Sequence, residues 1–125
     1  MLQILYVAIG SALGGVARFL LSKAIQQNLE SLFPLGTFAV NMAGCLLIGI
    51  IYGLTDRGLN INADVKLLLT VGFCGGFTTF STFAHENYLL FHSGNILTVA
   101  AYAAISLFGG ILMAYAGHAL TNSLL

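Results

Sequence analysis

Between Val65 and Phe91 runs an apolar segment long enough to cross a bilayer, and its middle carries GFCGGFTTFSTF, residues 72 to 83. Three glycines and four Thr or Ser residues weaken a helix where lipid demands an unbroken one. Non-helical backbone at membrane depth is tolerated only where it is buried in protein or lines a water-filled cavity. In transport proteins, helices broken in this way mark places where ions are handled. The interruption, expected near Gly75 to Thr79, is therefore the first place to look for function.

The rest of the composition agrees with a membrane setting. Hydrophobic residues make up 58% of the 125 and charged residues 6%. Mean hydropathy is +0.96. A soluble domain carries about a quarter of its residues charged. An all-α integral membrane protein follows. Lys plus Arg number 4 and Asp plus Glu 4, so no basic patch exists for nucleic acid. Arg18 follows the first apolar stretch instead of preceding it, which argues against a cleavable signal. Cys45 and Cys74 lie inside apolar runs and read as small buried residues, with no spacing that suggests a disulfide or metal site.

About 20 apolar residues cross the hydrocarbon core. Four spans meet that length, at about residues 2–23, 37–54, 65–91 and 96–120, forming one transmembrane domain over 1–125. Gln26 to Pro34 reads as a loop, Thr55 to Asp64 as a polar loop with Asp64 as a candidate helix cap, and His92 to Asn95 as a tight turn. Four crossings put both termini on one side. That side holds Arg57 and Lys66, and the other holds Lys23 with Arg18 near it. Lys and Arg counts normally set orientation. Two against two favours neither, so the chain could insert both ways and two opposite copies could pair as an antiparallel, dual-topology homodimer; a buried Arg18 would not count and would leave a weak bias. Gly10, Gly14, Gly15, Gly44, Gly49, Gly109, Gly110 and Gly117 read as sites of close helix contact.

Several polar residues lie within the spans. Arg18 is either a functional charge or an anchor reaching the interface. Asn41 offers amide donors, either to another helix or to a passing anion. Glu86, about two turns beyond the interruption, could bind a proton or a cation, or close a helix contact. His85 and His118 have no partner at metal-ligand spacing. Ser81 and Thr82 have no base beside them, so no hydrolytic set is present and the chain is not expected to be an enzyme. Phe80 and Phe83 share a helix face. Aromatic ring edges are positive and faces negative, so edges along a path favour an anion. With the hydroxyls of Ser81 and Thr82 and the free N–H groups of a restarting helix, these features suit a small, strongly hydrogen-bonding anion. Unwound carbonyls on the other side of the interruption suit a hard cation such as Na+.

GFCGGFTTFSTF, GGVAR at Gly14 to Arg18 and GTFAVNMAG at Gly36 to Gly44 together resemble the CrcB/Fluc fluoride channels, over nearly the whole chain. The resemblance implies a dual-topology antiparallel homodimer in the bacterial inner (plasma) membrane, surrounded by lipid. Such a dimer would carry two pores for passive, electrogenic export of fluoride and so lower its toxicity. It implies a structural Na+ on the dimer axis, held by backbone carbonyls that match Gly75 and Thr78. Pore positions of the family match Asn41, Phe80 and Phe83, with Ser81 and Thr82 beside them. On the fourth span the match is looser and points to Tyr102 and Ser106, with Gly110 nearby. Arg18 and Glu86 fall in structural or vestibule positions.

Two other classes compete with this one. A proton-coupled small multidrug exporter also has four spans and can insert both ways, but needs a carboxylate in its first span, and this first span has none. A structural subunit of a larger complex would have no activity alone.

Overall fold

The structure, a computed structural model, describes residues 2–27 and 33–123. Four of its helices are long and apolar enough to cross a membrane: Leu2–Gln27, Leu35–Asp56, Ala63–His92 and Ile96–Leu120. No strand occurs among the described residues. We name the first two α1 and α2 and the last α6. The third is composite: α3 (Ala63–Leu67), a π-helical stretch (Leu68–Cys74), α4 (Gly75–Phe77) and α5 (Phe80–His92). Much of the loop expected over Gln26 to Pro34 lies outside the described residues; Gln26 and Gln27 still belong to α1.

Element ends follow local chemistry. Pro34 stands immediately before α2, where its missing N–H costs nothing. The cap of α3 is Asn62, whose side chain accepts from the Asp64 N–H at 2.8 Å. Asp64, expected as the cap, sits instead in the first turn, where its charge favours the positive helix end. Gly58 (φ 100) and Gly94 (φ 87) take the left-handed backbone that closes the turns after α2 and α5.

The interruption falls later than the glycines suggest. Gly75 and Gly76 remain helical, and only Thr78 (φ −93, ψ 157) and Thr79 (φ −148, ψ 123) turn extended. Two of the three glycines serve packing: a Cβ on Gly72 would meet Gly10 Cα at 3.0 Å, and one on Gly76 the Ser11 carbonyl at 2.6 Å. From the other helix, Gly10 and Gly14 press on the backbone at Leu68 and Phe73. Gly15, grouped with them on the sequence pattern, has nothing within 4 Å. Lipid gives no hydrophobic drive for helices to associate, so such close backbone approach is what holds α1 to the composite helix.

A second glycine seam joins α2 to α6, with Gly49 on the Ala114 carbonyl and Gly117 on the Leu46 carbonyl. Its end is fastened by Arg57 Nε donating to Thr121 Oγ1 (2.8 Å) and by His118 Nε2 against Asp56 Oδ2 (3.0 Å). The interior is small: Val40, Ile51, Cys74, Phe77, Leu90 and Tyr102 are buried, while Leu97 is 86% exposed and Tyr115 72%. Apolar side chains face outward, as lipid requires.

Candidate functional site

The extended pair Thr78–Thr79 is held by one side chain from α2. Asn41 Oδ1 accepts from the Thr79 N–H (2.9 Å), and Asn41 Nδ2 donates to the Thr79 carbonyl (3.2 Å). The amide thus pairs with one residue's backbone as a neighbouring strand would. Thr78 Oγ1 turns back to the Cys74 carbonyl (2.9 Å), and Thr79 Oγ1 accepts from the Thr82 N–H (3.3 Å), capping α5. The helix stops here because Asn41 and Thr79 Oγ1 capture the Thr79 and Thr82 N–H groups that would have continued it, while the Cys74 carbonyl keeps its helical bond from the Thr78 N–H (3.0 Å).

Beside this clamp opens a cleft of about 660 Å³ between α2, the interruption, α5 and α6. Asn41, Phe80, Phe83 and Ser106 line it together with Thr78 and Thr79, and no lining residue is charged. Phe80 is 79% exposed, and its ring centroid lies 5.8 Å from that of the half-buried Phe83, tilted by 43°. Ser106 Oγ is buried with no hydrogen-bond partner among the described residues. A hydroxyl without a partner in such a place is costly unless a ligand or water takes the bond.

The other expected residues sit around this cleft. Tyr102 is fully buried, edge-on to Phe83 at 4.9 Å and 60°, so it backs the cleft wall and does not line it. Its hydroxyl donates to Glu86 Oε1 (3.0 Å), and Thr37 Oγ1 donates to Glu86 Oε2 (2.9 Å). Glu86 therefore closes a contact between α5, α2 and α6. Thr82, Thr37 and Glu86 line a second cavity of about 270 Å³ with Arg18, Lys23 and Gln26. Arg18 Nε donates to the Gly76 carbonyl (3.1 Å), so that side chain reaches α4 just before the interruption. Ser81 is exposed on α5 and belongs to neither cavity.

The carbonyls of Gly75 and Thr78, the expected cation ligands, lose their helical partners. The i+4 donors that an unbroken helix would give their carbonyls, the Thr79 and Thr82 N–H groups, are taken by Asn41 and by Thr79 Oγ1. Gly75 is also exposed, with only the Thr70 carbonyl near a notional Cβ, at 3.9 Å. Among the described residues no group of three or more His, Cys, Asp or Glu could hold a metal.

Sequence inspection passed over Thr37 and Thr79. Thr37 stands one turn before Asn41 on α2, a spacing that puts both on one face. Thr79 is the pivot of the clamp, hidden in the sequence among four similar hydroxyl residues.

The fold and cleft define a small four-span membrane protein with an uncharged, donor-bearing cleft at a helix interruption. The sequence profile of the family described as CrcB-like protein, Camphor Resistance (CrcB), matches residues 5–118. A protein of Azobacteroides pseudotrichonymphae named Fluoride-specific ion channel FluC is 41% identical over 120 residues, covering 96% of both chains. Proteins of the same name from Phocaeicola vulgatus (46% identical, 90% of this chain and 92% of that one) and Flavobacterium psychrophilum (38%, 99% and 100%) also align over most of their length. The chain belongs to the CrcB/Fluc family and is a multi-pass membrane protein.

Proposed function

We propose that this chain is a fluoride channel that lets the ion run down its gradient without coupling, as an antiparallel pair of copies in the bacterial inner membrane. The observation that carries this reading is the cleft: it has no charged side chain, yet Asn41, the Phe80–Phe83 ring pair and an unpartnered hydroxyl, Ser106 Oγ, line it together. Fluoride is small and a strong hydrogen-bond acceptor. Hydroxyl and amide donors with ring edges replace its water, while the absence of a fixed cation lets it leave again. The names of the relatives support the same ion.

In this scheme the interruption lies near mid-membrane. Asn41 fixes the Thr79 backbone and keeps its second amide hydrogen for the ion. Phe80 and Phe83 present ring edges to the path, and Ser106 donates from α6. Thr82, Arg18 and Glu86 face the second cavity, which serves as the approach, with Ser81 beside it on α5. Na+ belongs on the two-fold axis, where the freed carbonyls of Gly75 and Thr78 from two copies would supply four oxygens. A hard cation prefers oxygens at ~2.4 Å and needs several of them. Bound there it offsets crowded carbonyl dipoles and joins the copies.

Liposomes containing only this protein test the reading. Fluoride release should require valinomycin to carry compensating K+, and chloride should pass far more slowly. Uphill movement driven by a proton gradient would favour the multidrug-exporter class, and no release at all would favour a structural subunit. Slow replacement of Na+ by a large organic cation should abolish flux; steady transport without Na+ would remove the structural ion.

A further inference from the structure

We infer that Phe33, in the segment leading into α2, is a positioning residue for the cleft: it sets the ring of Phe83 through Tyr102. The rings form a relay. Phe33 meets Tyr102 at 5.1 Å and 72°, and Tyr102 meets Phe83 at 4.9 Å and 60°, both edge-on. Phe33 is steadied in turn by Phe38 at 5.6 Å and 76°. Tyr102 has 0% exposure and is gripped between the two phenylalanines, with its hydroxyl on Glu86 at 3.0 Å. Only Phe83 of the relay lines the cleft.

Edge-on pairs fix the angle between rings as well as their separation. The hydroxyl bond to Glu86 fixes one end of Tyr102 but leaves the ring free to rotate about its long axis. Phe33 on one side and Phe83 on the other remove that freedom. What Phe83 presents to the cleft, positive edge or negative face, therefore depends on a residue outside the cleft. The backbone before α2 is itself fixed for this task, with Pro34 limiting its conformations and the Leu35 N–H donating to the Phe33 carbonyl at 2.8 Å. The inference rests on the fluoride-channel reading for its consequence, though not for its geometry.

Phe33→Leu keeps an apolar side chain of similar bulk but removes the ring. Phe33→Tyr restores a ring of the same shape. In reconstituted vesicles Phe33→Leu should slow fluoride flux by about three- to tenfold, the range that loss of one edge-on ring pair corresponds to, and should narrow the preference for fluoride over chloride. Phe33→Tyr should recover both. Full flux and selectivity in Phe33→Leu overturn the inference, as does a loss that Phe33→Tyr fails to restore. If the unaltered protein passes no fluoride, the channel reading fails and a second measurement decides. With 4-fluorophenylalanine placed at position 83, Phe33→Leu should shift or broaden the ring's fluorine resonance, and Phe33→Tyr should return it. An unchanged resonance in Phe33→Leu removes the relay.

Discussion

Asn41 shows how one side chain can make an irregular backbone affordable in lipid. Both ends of its amide are spent on Thr79, at 2.9 and 3.2 Å. Asn41→Leu orphans an N–H and a C=O together, and each buried unpaired group costs about 1–3 kcal/mol. Asn41→Asp keeps the acceptor for the Thr79 N–H but sets a carboxylate against the Thr79 carbonyl and beside the proposed anion path. Thermal unfolding in detergent should rank Asn41→Leu as the less stable variant, while both should lose fluoride flux. Equal stability of Asn41→Leu and the unaltered protein would mean that the clamp is incidental. The ring pair separates chemistry from bulk. Phe80→Ile and Phe83→Ile keep apolar volume but lose the quadrupole, so vesicle flux should fall while the copies still assemble. Unchanged flux in both would reduce the rings to packing.

At the scale of elements, α1 and the composite third span meet through glycines on both sides, and small additions there have nowhere to go. A Cβ on Gly10 would strike the Leu68 carbonyl and approach Gly72 Cα at 2.9 Å, both backbone atoms. Overpacking costs about 1–3 kcal/mol, occasionally more, and is worst where the neighbour cannot move. Gly10→Ala and Gly76→Ala should therefore lower the yield of folded protein on size-exclusion chromatography. Gly15→Ala, in open space, should not; if it alone blocks assembly, that face of α1 belongs against the partner copy. The four spans were legible because length and hydropathy are properties of a sequence by itself. The place of the interruption was legible only to within a few residues. Glycine weakens a helix by propensity, but Gly75 and Gly76 stay helical, and the ladder ends where Asn41 reaches Thr79 across 38 positions. Such a contact has no local signature. Phe80 and Phe83 share a face on their spacing, whereas Tyr102 behind them and Thr37 under Glu86 needed the packing of α2 and α6 to be seen.

A single copy exposes a large surface for its mass. It exposes 7618 Å², whereas a folded monomer of 13.2 kDa exposes about 6,400 Å². Phe80, which lines the cleft, is exposed, and so is Gly75. A second copy that approaches by a two-fold axis in the membrane plane must be inserted upside down. Arg57 and Lys66 stand at one end and Lys23 at the other, while Arg18 is turned onto the Gly76 carbonyl. That leaves a bias of one charge, and the proposed antiparallel pair requires that both insertions occur in spite of it. Each added Lys near a span end shifts this balance. Leu59→Lys with Asn60→Lys loads the loop between α2 and α3, where both residues are exposed. Gln27→Lys with His92→Lys loads the opposite end, also at exposed positions. Each double variant should insert in one orientation only, as read by labelling of a single introduced cysteine from outside the cell. Cells making either variant alone should lose fluoride resistance, because no antiparallel partner exists. Cells making both together should regain it. Full resistance from either singly oriented variant would show that antiparallel pairing is not required.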